Sequence, residues 1–435
     1  VRLGIAVQHY DARNDIRDLI SLLGEQCEII LFAIHGALGR YIPPQEVRYI
    51  KSSHRHSLWF WQQLFRFFGA LPRSAQNYFI SEVFKLANVQ GFARLHQLIA
   101  LRCRMIGPRF FKVSQLLARL ADCDCTPIDD IDTFLFITEF SSIAFLAHVL
   151  EAGKPASAYV YSWDHPCKHT VMPQEVSSYF VWNSELAKDM CELQGVPEKN
   201  CTIIGATQLA YIKSYLESPG LRKRRIDPPY FYFGCGVGNI RFAVQEARVI
   251  EYVAHVLAEK FPKHRLIVRH YPMFTQNEFF ERLRGMPNVV FDNAFTMGRI
   301  DRSLTLQDIY QRLNLQEHAD AFLHIGTTMG LEGTYLGTPV LLLDLEDFDY
   351  GESEANYFHL RKFIHQYHIE RYMILHGYPN VIRNTNQISQ VLQGVVEHPR
   401  EFLAYNHAIS SITPLRSLEK IAENIIGHMK MALRT

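Results

Sequence analysis

Three groups of residues in this sequence have the types and spacing to bind an anion. The first is Gly326-Thr327-Thr328 with Glu332: a glycine and two hydroxyls at a turn, then a carboxylate one helical turn later on the face of Thr328. Backbone N–H groups and the dipole of a helix starting there attract phosphate, and Glu332 could hydrogen-bond a ribose. The second is the glycine turn Gly234-Cys235-Gly236-Val237-Gly238-Asn239, where missing side chains let a backbone approach a phosphate closely. The third is Arg269-His270, whose guanidinium can grip a phosphate by paired hydrogen bonds. An NAD site would place an acidic residue where Arg269-His270 stands, so the pattern argues against NAD and for an anionic partner. One ligand suits all three groups: a nucleotide or a nucleotide-sugar diphosphate. For acid–base work the candidates are His9, Asp11, Glu139 and Asp164, each following an apolar run. Trp163 beside Asp164 would raise that carboxyl's pKa by partial desolvation.

To share a ligand these groups must stand at the carboxyl ends of parallel strands, where doubly wound sheets open their ligand crevice. The apolar runs Tyr230–Phe233, Arg265–Val268, Val289–Phe291, Phe322–Ile325 and Val340–Leu343 read as such buried strands. The glycine turn follows the first, Arg269-His270 the second and Gly326 the fourth. The spacing predicts a helix with a bare, hydroxyl-lined N-terminus at Thr327-Thr328, ending at Leu336. Gly337 suits the left-handed position that closes it, and Pro339 forbids its continuation.

The first half of the chain has the same architecture. Arg2–Val7 and Cys27–Ile34 read as strands, and Asp132–Asp164 echoes His318–Asp344, with Gly153-Lys154-Pro155 matching Gly337-Thr338-Pro339. The echo lacks the glycines of Gly326–Gly330, so the first half suits an acceptor better than a diphosphate. The expected fold class is α/β: two Rossmann-like doubly wound domains facing a cleft. They span residues 1–214 and 230–435, joined by a polar, proline-bounded linker at 215–229, with the last helix crossing back to the first domain. A chain of 435 residues fits two domains of about 200 each.

Net charge is +1, but residues 40–121 carry 13 Lys/Arg against Glu46 and Glu82, leaving the rest of the chain about −10. This basic stretch reads as a helical insert rich in aromatics, with Trp59, Trp61, Arg66 and Arg73 suited to an anionic lipid surface or an anionic glycan. No nucleic-acid motif accompanies the charge. The eight cysteines form no CxxC pair, and Cys123-Asp124-Cys125 has no second half, so neither a metal site nor a disulfide framework is expected. Free thiols point to a reducing cytoplasm. The opening residues read as a strand and not as a secretory leader, and no apolar run reaches the 18 or so residues of a membrane span. The expectation is a cytoplasmic protein, either soluble or peripheral on the inner face of the membrane.

Two α/β halves, a proline-rich linker, GxGxG opening the second half and GTTxGLEGxYLGTPV near its end resemble the GT-B glycosyltransferases. More narrowly, Ser162-Trp163-Asp164-His165-Pro166, then Tyr179-Phe180-Val181-Trp182-Asn183, then Gly205-Ala206-Thr207 resemble bacterial surface-polysaccharide and lipopolysaccharide transferases. The resemblance implies that Thr327, Thr328 and Glu332 hold diphosphate and ribose, that Arg269 holds phosphate, and that no metal or other cofactor is needed to hold the donor. Gly236, Gly238, Asn239, Gly326 and His270 complete the expected donor set. The implied activity is transfer of a sugar from a nucleotide-activated donor to a growing surface glycan or lipid-linked acceptor. One departure is His324, which occupies the position eight before Glu332 and removes the paired-glutamate pattern of many retaining members. Three alternatives stay open: a CMP-Kdo or sialic-acid type transferase, a non-hydrolysing nucleotide-sugar 2-epimerase on the same fold, and a non-catalytic nucleotide-binding scaffold.

Overall fold

The structure, a computed structural model, describes residues 1–7, 14–34, 38, 42–54, 121–124, 127–137, 143–163, 166, 172–173, 175–222, 227–236, 240–271, 280–292, 305–354, 359–367, 373–374 and 376–433. The chain forms two compact units, Val1–Ala210 with Thr413–Thr435, and Tyr211–Ile412.

The first unit is built on an eight-stranded sheet: β1 (Arg2–Val7), β2 (Glu28–Ile34), β3 (Glu46–His54), β4 (Ala121–Asp124), β5 (Thr133–Ile137), β6 (Ala156–Tyr159), β7 (Ser178–Val181) and β8 (Cys201–Ile203). Their spatial order is β4-β3-β2-β1-β5-β6-β7-β8, all parallel except the antiparallel β3–β4 pair. Strands such as β1 and β5 are continuous apolar runs because a parallel sheet is covered on both faces. Its helices are α1 (Asn14–Gly24), α2 (Ile143–Glu151) and α3 (Ser184–Gln194), and α4 (Thr207–Leu216) begins in this unit and ends in the second. The predicted helical insert at 40–121 is corrected at both ends: β3 and β4 extend the sheet there. EVRYIKSSH pairs with β2 through its backbone, which the sequence's charge pattern does not report. Trp59, Trp61, Arg66 and Arg73 lie outside the described residues.

The second unit carries β9 (Tyr230–Gly234), α5 (Ile240–Lys260), β10 (Arg265–Arg269), β11 (Val289–Phe291), α6 (Leu306–Glu317), β12 (Phe322–His324), α7 (Met329–Leu336), β13 (Val340–Leu343), α8 (Leu360–Tyr367), β14 (Val381–Ile382), α9 (Ile388–Glu397) and α10 (Ala404–Ile412). Its six strands are all parallel, in the order β11-β10-β9-β12-β13-β14. The final helix α11 (Leu418–Ala432) belongs to the first unit and packs on α1.

Residues 215–222, expected as linker, are fastened to α6 instead. Tyr215 Oη donates to Glu317 Oε2 at 2.6 Å, Arg222 pairs with Glu317, and Asn314 Nδ2 donates to the Leu221 carbonyl at 3.1 Å. Proline and charge made the segment read as loose, but its polar groups have fixed partners. Among the described residues no helix is long and apolar enough to cross a membrane.

Candidate functional site

The sheet of the second unit winds outward in both directions from β9 and β12: β10 and β11 follow on one side, β13 and β14 on the other. At such a switch point the loops leaving the two central strands diverge and open a crevice above their carboxyl ends. Gly234–Gly236 leaves β9 and Gly326–Thr328 leaves β12 at this place. The two turns touch backbone to backbone. A Cβ on Gly236 would lie 1.5 Å from the Gly326 carbonyl oxygen and 2.7 Å from Thr327 Cβ. Gly236 is therefore glycine because of its neighbour turn, a demand that exists with or without a phosphate. Its N–H donates at 2.9 Å to Glu246, a fully buried carboxylate of α5. Gly326 sits against Ile364 of α8.

The helix start at 327–328 is not bare. Thr327 Oγ1 accepts from the Met329 N–H at 3.3 Å, and the Thr327 and Thr328 carbonyls accept from Gly330 and Leu331 at 3.0 and 3.1 Å. A threonine hydroxyl two residues before a backbone donor competes for it locally, which the expectation of unsatisfied N–H groups left out. Thr328 takes helical dihedrals, makes no side-chain cap bond and is half-buried. Gly337 has the expected left-handed conformation, φ 76°. Glu332, one turn into α7, is buried and hydrogen-bonded to Arg312 of α6.

Arg269 departs from its expected role. Its guanidinium is buried and bonded to Asp292 Oδ2 at 2.6 Å, and Tyr232 Oη donates to the same oxygen at 2.6 Å. This charge is paired inside the sheet, where it ties the ends of β9, β10 and β11 together. His270 is stacked on Phe291 with ring centroids 4.5 Å apart and meets Phe280 edge-on. Its Nε2 is buried and has no hydrogen-bond partner among the described residues. Burial, then the positive Arg284 and Arg269, push its pKa down to about 4. His324, packed beneath Gly330, is pushed down to about 3 by burial.

These two histidines give a pH prediction. An unfolded histidine titrates near 6.5. Between that pH and the depressed folded values, the unfolded chain binds protons that the folded unit does not. Stability of the second unit is therefore fully present above about pH 6.5 and falls as pH drops toward about 4 and then 3. The variant His270→Phe, which keeps the ring stack, is expected to flatten part of that slope. Urea midpoints at pH 7.5, 5.5 and 4.5 check it; an unchanged slope would show that His270 does not titrate in this way.

His9, Asp11, Glu139, Asp164, Gly238 and Asn239 lie outside the described residues. Trp163 is buried and its Nε1 donates to Asp189 at 3.3 Å. Trp182 is fully buried. Asn183 caps α3 through the Leu186 N–H at 2.8 Å and donates to Thr413 Oγ1 at 2.8 Å. Asp15, missed in the sequence, is a buried carboxylate in the first turn of α1 that accepts from Thr207 Oγ1 at 2.6 Å and Tyr161 Oη at 3.3 Å. Also missed were Glu246, Asp292 and Arg312. The adjacent polar pair Gln245-Glu246, interrupting the buried face of α5, was the available signal for the first of these.

No family model and no curated protein matches the chain. Solved structures do match it over its whole length. The Staphylococcus aureus MnaA–UDP co-structure superposes with TM-score 0.52 at 12% identity, covering 100% of this chain and 96% of that one. A structure described as a putative UDP-N-acetylglucosamine 2-epimerase from Listeria monocytogenes gives 0.52 and 12%, covering 100% and 97%. The Methanocaldococcus jannaschii UDP-GlcNAc 2-epimerase in complex with UDP-GlcNAc and UDP gives 0.52 and 9%, covering 99% and 100%. The chain has the GT-B fold. Within GT-B architecture, the second unit's switch point brings together Gly236 and the stretch Gly326–Thr327, two segments separated in sequence by β10, β11 and α6.

Proposed function

We propose that this chain is a nucleotide-sugar enzyme whose second unit holds a nucleoside diphosphate at Gly326–Thr328, with Glu332 on the ribose, and that it inverts a sugar carbon in the manner of a non-hydrolysing 2-epimerase. The observation that carries the nucleotide reading is the paired turn at the β9–β12 switch point with a buried carboxylate one helical turn beyond it. An ionised carboxylate only accepts hydrogen bonds, which suits it to two vicinal hydroxyls. Epimerisation comes first because the matching GT-B structures, aligned end to end, are described as UDP-GlcNAc 2-epimerases. Proton transfer at the sugar would fall to one of His9, Asp11, Glu139 and Asp164. The reading needs no cofactor or metal beyond the nucleotide sugar.

Transfer to a glycan or lipid-linked acceptor is the second reading, favoured by the basic aromatic stretch 40–121 and its fit to an anionic membrane surface. The residues that carry the narrower resemblance, Trp163, Trp182 and Asn183, support it less, since each has a packing or capping role.

Calorimetric titration with UDP, GDP, CDP, CMP and UDP-GlcNAc tests the nucleotide. UDP is expected to bind, and Glu332→Gln to weaken it roughly tenfold, as loss of a hydrogen bond to a charged group does. Absence of binding by every nucleotide would end this reading. Incubation of UDP-GlcNAc in D2O separates the chemistries. Deuterium entering C2 without an acceptor supports epimerisation, UDP release only with an added acceptor supports transfer, and neither leaves the scaffold.

A further inference from the structure

Arg312 stands on α6, outside the strand-end turns, yet its one described side-chain bond goes to Glu332. Nη1 of Arg312 donates to Glu332 Oε2, and the two side chains are only 13% and 9% exposed. Among the described residues no other side chain bonds Glu332, so Arg312 alone fixes where its carboxylate stands. The pairing leaves Glu332 Oε1 with no hydrogen-bond partner among the described residues.

The frame around the pair is stiff. Gln316, one turn further along α6, donates to the Met329 carbonyl at 2.7 Å, and Thr338 Oγ1 donates to the Gln316 carbonyl at 2.8 Å. The two bonds fasten α6 to both ends of α7. Arg312 itself is not well satisfied: its Nε is buried without a partner among the described residues. An unmatched buried donor costs stability, so the arginine is better explained by what it does to Glu332 than by what it adds to folding.

We infer that Arg312 is a positioning residue that fixes the Glu332 carboxylate through Oε2 and leaves Oε1 to a ligand, and so sets the preference of the site for nucleotides carrying ribose hydroxyls. The inference rests on the ribose reading of Glu332 given above.

The test is calorimetric titration of the full chain with UDP and with 2′,3′-dideoxy-UDP. Wild type is expected to prefer UDP by on the order of 10–100-fold, the worth of one or two charge-assisted hydrogen bonds. In Arg312→Met the preference collapses to within about threefold while dideoxy-UDP binding moves by less than about twofold, both following from loss of the carboxylate's contacts alone. Should Arg312→Met not fold, Arg312→Gln decides by the same ratio. Equal weakening of both ligands, with the preference intact, would mean a merely structural role and overturn the inference. Wild type that binds UDP and dideoxy-UDP equally overturns it while leaving the nucleotide site standing. Wild type that binds neither overturns both.

Discussion

Replacing Gly236 by alanine is expected to lower the stability of the second unit by about 3 kcal/mol or more and to abolish nucleotide binding. The new methyl would coincide with the Gly326 carbonyl, 1.5 Å away, and neither side of that contact is a flexible side chain. Relief requires parting the turns that leave β9 and β12, which breaks the Gly236 N–H bond to Glu246 as well. A comparison isolates the steric origin. Gly337→Ala has open space around its Cβ and a left-handed φ of 76°, so it should cost only the conformational penalty of about 1 kcal/mol. The reporter is built into the sequence. All four tryptophans, 59, 61, 163 and 182, precede residue 211, so tryptophan fluorescence does not see the second unit. Cys235 is its one cysteine and is buried, so thiol labelling against urea, followed by mass, reads its opening directly. A Gly236→Ala protein with a wild-type labelling midpoint would show that the two turns are not packed backbone to backbone.

Arg269→Met is expected to destabilise the second unit by about 3–5 kcal/mol, because it removes the guanidinium bonded to Asp292, a carboxylate whose side chain is 1% exposed. The double variant Arg269→Met, Asp292→Asn should recover about 2 kcal/mol of that loss, since a neutral amide still accepts from the tyrosine and no charge is left buried. Cys235 labelling closes the double-mutant cycle. Additive losses would mean that the pair is not coupled. The same double variant separates the two roles considered for Arg269. With the guanidinium committed to Asp292, UDP affinity should stay within about threefold of wild type, less than one hydrogen bond to a charged group. A tenfold loss would return Arg269 to the phosphate.

The strands were legible because a parallel strand covered on both faces is an unbroken apolar run, and Val340–Leu343 or Ser178–Val181 contains little else. The end of α7 was legible because Gly337 and Pro339 act locally. What the chain order hides is which polar group meets which. Arg269 and Arg312 look alike in sequence, each free to hold an anion from outside. The first finds Asp292 across the ends of neighbouring strands, and the second finds Glu332 across two helices. Register and helix packing decide such partners over separations of 23 and 20 residues, and no motif encodes them. The helix α4 was missed for a related reason. TQLAYIKSYL runs straight into a proline-bounded segment, and the partners that fix that segment, Asn314 and Glu317, come a hundred residues later.

Helix α6 carries obligations on two fronts. Asn314 and Glu317 grip residues 215–222, while Arg312 and Gln316 grip α7 at Glu332 and Met329. A rotation of α6 that let go of the one would pull the guanidinium away from the other. On the ribose reading of Glu332, filling that position and fastening the 215–222 segment are linked through α6, and loosening the segment is expected to weaken the nucleotide.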